Sequence, residues 1–146
     1  MNYESLADGG FASGSMMGSG GFIVLDDTQC VVKHTYTLAR FYRHESCGQC
    51  SPCREGTGWM EKILLKIDSG KGAMSDIDLL WDIQRKIEGN TICPLGDAAA
   101  WPVAAAIRHF RDEFEWHINN PEDCLRKNYG LAGYADEIHV PVLSNE

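Results

Sequence analysis

Apolar residues between positions 35 and 118 recur at intervals of three and four, the period of helices that each bury one face. Leu38, Phe41 and Tyr42 give an apolar face to a short helix over residues 35–45. A second helix opens with Ser51 as N-cap and Pro52 at the first helical position, and continues through Trp59, Met60, Ile63, Leu64 and Ile67. Gly56 and Gly58 weaken its first turns, and Asp68-Ser-Gly-Lys-Gly72 ends it with two glycines available for a left-handed exit. Ser75 with Asp78 resembles a capping box ahead of Ile77, Leu80, Trp81, Ile83 and Ile87, and Gly89 stops that third helix. A fourth helix is expected to begin between Asp97 and Pro102, because proline is tolerated only in a first turn. Its buried stripe would be Val103, Ile107, Phe110, Phe114 and Ile118.

Ahead of the helices, Gly9, Gly10, Gly14, Gly18, Gly20 and Gly21 crowd one segment, and Phe22-Ile-Val-Leu25 reads as a short buried strand. The glycines precede that strand. A dinucleotide fingerprint needs strand, then G-x-G-x-x-G, then helix, so the segment reads as a turn-rich edge. Three regions follow: residues 1–34, a helical region 35–120, and a polar tail 121–146 expected to lie along a surface or a partner. The fold class is mainly α, a small up-down four-helix bundle. In that topology the loop between helices one and two lies at the same end as the loop between helices three and four.

Composition sharpens the picture by exclusion. With 146 residues, 44% hydrophobic and 23% charged, the chain suits one core and not a large multidomain enzyme. Its net charge of -8 without a basic run argues against nucleic acid and anionic membrane as partners. No apolar run is long enough to span a membrane, and the amino terminus lacks the features of a signal peptide, so a soluble cytosolic protein is expected. In a reducing compartment cysteines are more often metal ligands than disulfides.

The cysteines carry the strongest chemical signal. Cys47, Cys50 and Cys53 stand three residues apart, and Cys93 returns directly before Pro94. C-x-x-C-x-x-C lets three thiolates reach three corners of an iron-sulfur cube, and a distant cysteine closes the fourth. Structural zinc, which prefers two separated C-x-x-C knuckles, and disulfides are the alternatives. Arg54 stands beside Cys53 near the start of helix two, where its charge and the helix dipole favour thiolate and raise a cluster's reduction potential; a solvent-exposed ion pair is the competing role. Pro94 echoes the Cys-Pro ending of ferredoxin motifs, and His44 is near enough in sequence to donate to the site. Cys30 and Cys124 match no ligand spacing and read as small buried hydrophobes. The four tryptophans read as core or interface. No serine, histidine and acid set and no carboxylate pair marks a catalytic centre.

The stretch Glu45-Ser-Cys-Gly-Gln-Cys-Ser-Pro-Cys-Arg-Glu-Gly-Thr-Gly-Trp-Met60, with Thr91-Ile-Cys-Pro-Leu-Gly-Asp-Ala-Ala-Ala-Trp-Pro-Val103 and Arg108-His-Phe-Arg111, closely resembles the carboxy-terminal cluster domain of the NADH-binding flavoprotein subunit of respiratory complex I, NADH:quinone oxidoreductase. The resemblance runs from about residue 15 to about residue 120. It implies that Cys47, Cys50, Cys53 and Cys93 ligate a 4Fe-4S cluster that relays single electrons from FMN toward quinone. It implies a peripheral arm on the cytoplasmic or mitochondrial matrix side, with a 2Fe-2S thioredoxin-like subunit and a large multi-cluster subunit as neighbours and no direct membrane insertion. Residues 1–34 resemble only the end of the family's ubiquitin-like (β-grasp) domain. The FMN and NADH sites of the family are missing, so the chain is expected to be a fragment that is not catalytically competent alone. The equivalent subunits of NAD-linked hydrogenases and formate dehydrogenases are the alternative; they often continue into extra ferredoxin-like cysteine clusters, whereas only Cys124 follows the fourth ligand here.

Overall fold

The computed structural model describes residues 23–26 and 29–120, and the glycine-rich segment 1–21 and the tail 121–146, Cys124 included, lie outside them. Four helices follow one another: α1 Val31–Glu45, α2 Ser51–Asp68, α3 Met74–Ile87 and α4 Leu95–Asn119. No strand occurs among the described residues. Of the expected buried strand over residues 22–25, residues 23–25 form no strand: Ile23 is 73% and Val24 92% exposed; Phe22, and most of the segment read as the end of a β-grasp domain, lie outside the described residues. A strand needs a neighbour for its backbone N-H and C=O groups, and the described residues supply none.

Each helix packs against the next, α4 returns to α1, and α2 and α4 also meet across the ring. Contacts at the helix ends fix the directions. Lys33 Nζ at the start of α1 lies 3.4 Å from Asp68 Oδ2 at the end of α2. Gly56 near the start of α2 packs on Ile87 at the end of α3. Arg111 in the second half of α4 donates to Asp78 near the start of α3 at 3.0 Å. Cys30, the N-cap of α1, meets His117 near the end of α4 at 3.8 Å. Helices therefore alternate up and down, as the pattern predicts, and loops 46–50 and 88–94 share one end.

The core comprises Val32, Tyr36 and Ala39 of α1, Met60, Leu64 and Ile67 of α2, Ile77, Leu80, Ile83 and Ile87 of α3, and Val103, Ile107 and Phe114 of α4. Helix α1 starts at Val31, four residues before the expected position, and its buried face is only partly the expected one: Tyr42 packs against the core, but Phe41 is 54% exposed and Leu38 half-buried. The stripe Val32, Tyr36, Ala39 keeps helical spacing and turns toward α2 and α4 instead. Burial pushes the Tyr36 hydroxyl up from its usual pKa.

Helix ends differ by a residue or two from the sequence signals. Cys50, not Ser51, is the N-cap of α2. Its other end is a Schellman turn: Gly70, at φ +76°, donates to Ile67 O at 2.9 Å, and Lys71 donates to Lys66 O at 3.0 Å. The N-cap of α3 is Ala73 rather than Ser75, because Asp76 accepts the Ala73 N-H at 2.7 Å while holding Lys66 at 2.8 Å. Helix α4 begins at Leu95, so Pro102 stands in its interior, and no N-H is offered there to the carbonyl one turn back. At Phe110 the backbone leaves helical geometry (φ -133°), which turns that ring outward, 44% exposed, and breaks the expected stripe. Among the described residues no helix is long and apolar enough to cross a membrane.

A Cβ on Gly56 would lie 2.6 Å from Ile87 Cδ1 and 2.7 Å from Cγ1. Gly56→Ala should cost about 1–3 kcal/mol through overpacking, and Ile87→Ala about 2–5 kcal/mol through its cavity. In urea denaturation the double variant should lose clearly less than the sum, and strict additivity would contradict the close contact.

Candidate metal centre

The four cysteines singled out by spacing all fall at the shared end of the bundle, on its two loops or the first turn of α2. Loop 46–50 carries Cys47 and Cys50, with Gly48 at φ +79° making the turn between them. That left-handed conformation favours glycine. Cys50 is extended (φ -91°, ψ 126°), and its carbonyl accepts the Arg54 N-H at 2.8 Å, closing the first turn of α2. Cys53 lies within that turn. The free backbone N-H groups and positive dipole end of α2 therefore fall at the loop that holds the thiols. Exposure is graded: Cys53 is buried, Cys50 half-buried, and Cys47 and Cys93 exposed.

Loop 88–94 is strapped to α4 from several sides. Gly89, at φ +71°, donates its N-H to Asp97 Oδ1 at 2.7 Å. Trp101 Nε1 donates to Glu88 Oε1 at 2.8 Å, and Thr91 Oγ1 donates to Cys93 O at 2.9 Å. Gly96, buried in the first turn of α4, leaves room for Thr91: a Cβ there would sit 2.4 Å from Thr91 Oγ1. The loop so held meets the other one where the Ile92 N-H donates to Cys50 Sγ at 3.4 Å.

Arg54 forms the expected exposed ion pair and also takes a role in the loop. Its Nη1 donates to Gly48 O at 2.9 Å, clamping the turn between Cys47 and Cys50, while Nε donates to Glu55 at 2.9 Å. The pair is about half exposed, so the ion pair itself contributes little. His44 is not brought to a sulfur. Its ring meets Glu45 at 2.9 Å, and its side chain is 86% exposed. Pro94 is exposed and serves as the N-cap of α4. Cys30 is buried at the far end of the bundle, as expected, but its Sγ is hydrogen-bonded to His117 Nδ1 at 3.8 Å rather than packed as a purely apolar residue.

Sequence reasoning passed over four residues that shape this end: Ser46, Thr91, Gly96 and Asp97. Ser46 Oγ lies 3.2 Å from Cys53 Sγ. Their signal was position alone, since each sits within a few residues of a singled-out cysteine.

Four thiols stand on two loops, or beside them, at this end of the bundle. Among the described residues no three His, Cys, Asp or Glu side chains are gathered around a single metal position. Soft, all-sulfur donors beside a helix N-terminus fit an iron-sulfur group, whose thiolates bind separate irons. Fold and thiols together define a small helical domain with a cysteine-rich end. Residues 33–117, which include all four cysteines, match the NADH-ubiquinone oxidoreductase-F iron-sulfur binding region, and the chain belongs to that family.

Relatives agree. The chain is 46% identical over 132 residues to the F subunit of NADH-quinone oxidoreductase from Rickettsia typhi, covering 90% of this chain and 28% of that protein. It is 45% identical over 119 residues to the F 1 subunit of NADH-quinone oxidoreductase from Rhizobium meliloti, covering 82% of this chain and 26% of that protein. The chain thus spans about a quarter of the length of these curated relatives. Among solved structures it resembles an NAD+-reducing NiFe-hydrogenase in the H2-reduced state, with 35% identity and a TM-score of 0.63 over 69% of this chain and 18% of that one.

Gly96→Ala should lower stability by about 1–3 kcal/mol through the clash with Thr91. Thr91→Ala added to that variant should recover part of the loss in chemical denaturation, and no recovery would remove the proposed reason for the glycine.

Proposed function

We propose that this chain is the iron-sulfur electron-transfer domain of NADH:quinone oxidoreductase, complex I, with Cys47, Cys50, Cys53 and Cys93 as ligands of a 4Fe-4S cluster. The observation that carries this reading is the 3.4 Å hydrogen bond from Ile92 N-H to Cys50 Sγ, which joins the loop of the fourth cysteine to the triplet across 42 residues of sequence. When bound, such a cluster accepts and returns one electron at a time.

The chain's own groups set the conditions for that exchange. Arg54 holds the Gly48 turn, Asp97 and Gly96 hold the Cys93 loop, and the start of α2 places positive potential beside sulfurs that must ionise. Burial of Cys53 keeps one side of the site dry, whereas exposure of Cys47 and Cys93 opens the other toward electron donors and acceptors.

In the whole protein the electrons come from FMN reduced by NADH and continue toward quinone. The neighbours are a 2Fe-2S thioredoxin-like subunit and a large multi-cluster subunit, in a peripheral arm on the cytoplasmic or matrix side. FMN and NADH are held by the rest of the flavoprotein. A second reading, the equivalent subunit of an NAD-linked hydrogenase, is favoured by the likeness to the NAD+-reducing hydrogenase. The higher identity to the NADH-quinone oxidoreductase relatives supports complex I.

Anaerobic reconstitution with ferrous iron and sulfide should give a brown protein with about four iron and four sulfide per chain. Cys93→Ala should lose that stoichiometry, while Cys30→Ala should keep it. A colourless product that binds zinc alone, or unchanged iron and spectrum in Cys93→Ala, would overturn the assignment.

A further inference from the structure

Ser46 closes α1 and opens the cysteine loop. Its own N-H donates to Tyr42 O at 3.1 Å, which ties its backbone to the last turn of α1. Its hydroxyl oxygen lies 3.2 Å from Cys53 Sγ and accepts the Gly48 N-H at 3.3 Å. Cys53 is equally constrained: it sits in the first turn of α2, it is 7% exposed, and its carbonyl accepts the Thr57 hydroxyl at 2.7 Å.

Proton bookkeeping fixes the direction of the sulfur contact. A Cys53 thiol could donate or accept. A Cys53 thiolate bound to iron has no proton, so only the serine can donate. The Gly48 N-H already occupies a lone pair of the serine oxygen, which leaves the O-H for the sulfur. The result is a short chain, Gly48 N-H to Ser46 O-H to Cys53 sulfur, in which each hydrogen bond polarises the next.

We propose that Ser46 is a potential-setting residue that raises the reduction potential of the centre by donating a hydrogen bond to the Cys53 sulfur. This inference rests on the iron-sulfur reading above. Reduction adds one electron and leaves the sulfurs more negative, and a hydrogen bond to a more negative acceptor is stronger. The bond therefore stabilises the reduced state more than the oxidised one, while Ser46 keeps its proton throughout. Burial of Cys53 strengthens the effect, because water is poorly placed to replace the hydroxyl.

Two other groups near the sulfurs act differently. The Ile92 N-H at Cys50 belongs to the backbone and is common to any side chain at that position. The charge of Arg54 is exposed and offset by Glu55. Among the described residues Ser46 is the side-chain donor that reaches a sulfur of Cys47, Cys50, Cys53 or Cys93.

The test uses the full chain, reconstituted anaerobically with iron and sulfide, and its Ser46→Ala and Ser46→Thr variants at matched iron content. Midpoint potentials are read by EPR-monitored potentiometry with dithionite as the one-electron source. Ser46→Ala should shift the midpoint to a more negative value, and Ser46→Thr, which keeps the hydroxyl, should stay near the parent. An unshifted Ser46→Ala centre, or equal shifts in both variants, overturns the proposal. Loss of iron from Ser46→Ala marks an assembly role and also overturns it. A parent chain that takes up no iron and sulfide instead overturns the iron-sulfur reading itself, so the two failures are distinguishable.

Discussion

At Gly56, α2 packs directly on α3 beside the cysteine end. With no Cβ at that position, the first turns of α2 settle directly on Ile87, the last helical residue of α3. One contact thus joins the helix that carries Cys53 to the helix that leads into the Cys93 loop. A side chain there would have to displace the end of the Ile87 side chain. The intrinsic cost of a glycine inside a helix, about 1 kcal/mol relative to alanine, is offset by the packing it permits and by the meeting of Ile92 with Cys50.

Beyond that contact the end is organised by polar groups that hold backbone rather than by charge. Asp97, Thr91 and Glu88 fix one loop, and Arg54 and Ser46 fix the other. Both loops are short and expose backbone groups that the helices cannot satisfy, so side chains at the adjoining helix ends do so. The same side chains determine how the sulfurs are placed and hydrogen-bonded, which couples the stability of the loops to the electronic character of the site.

Much of this was legible in the sequence, for identifiable reasons. The cysteine spacing and the glycine-bounded helical runs marked the bundle and the end at which the cysteine loops meet. Helix boundaries slipped where a tertiary partner outweighed a local signal. Asp76 caps α3 in place of Ser75 because it also binds Lys66 from α2. Leu38 and Phe41 give way in the core because α1 packs through the stripe Val32, Tyr36 and Ala39, whose first member lies in the extra turn from Val31. Phe110 followed the helical period in sequence but faces outward, since the backbone of α4 departs from helical geometry at that residue. Residues 22–25 have the composition of a buried strand, but the described residues offer no strand for them to pair with.

By itself the sequence determined which atoms are available: four thiols at set intervals, a proline and an arginine beside them, and helices of a given number and order. Spacing is local information, and chemistry that depends on residue type and interval can be read from it. Only the tertiary structure decided which groups touch those thiols. Ser46 meets Cys53 seven residues away, and Ile92 meets Cys50 from forty-two residues away. Such contacts depend on where two helix ends come to rest against each other, and that is set by the summed packing of Gly56, Ile87 and the core behind them rather than by any interval along the chain.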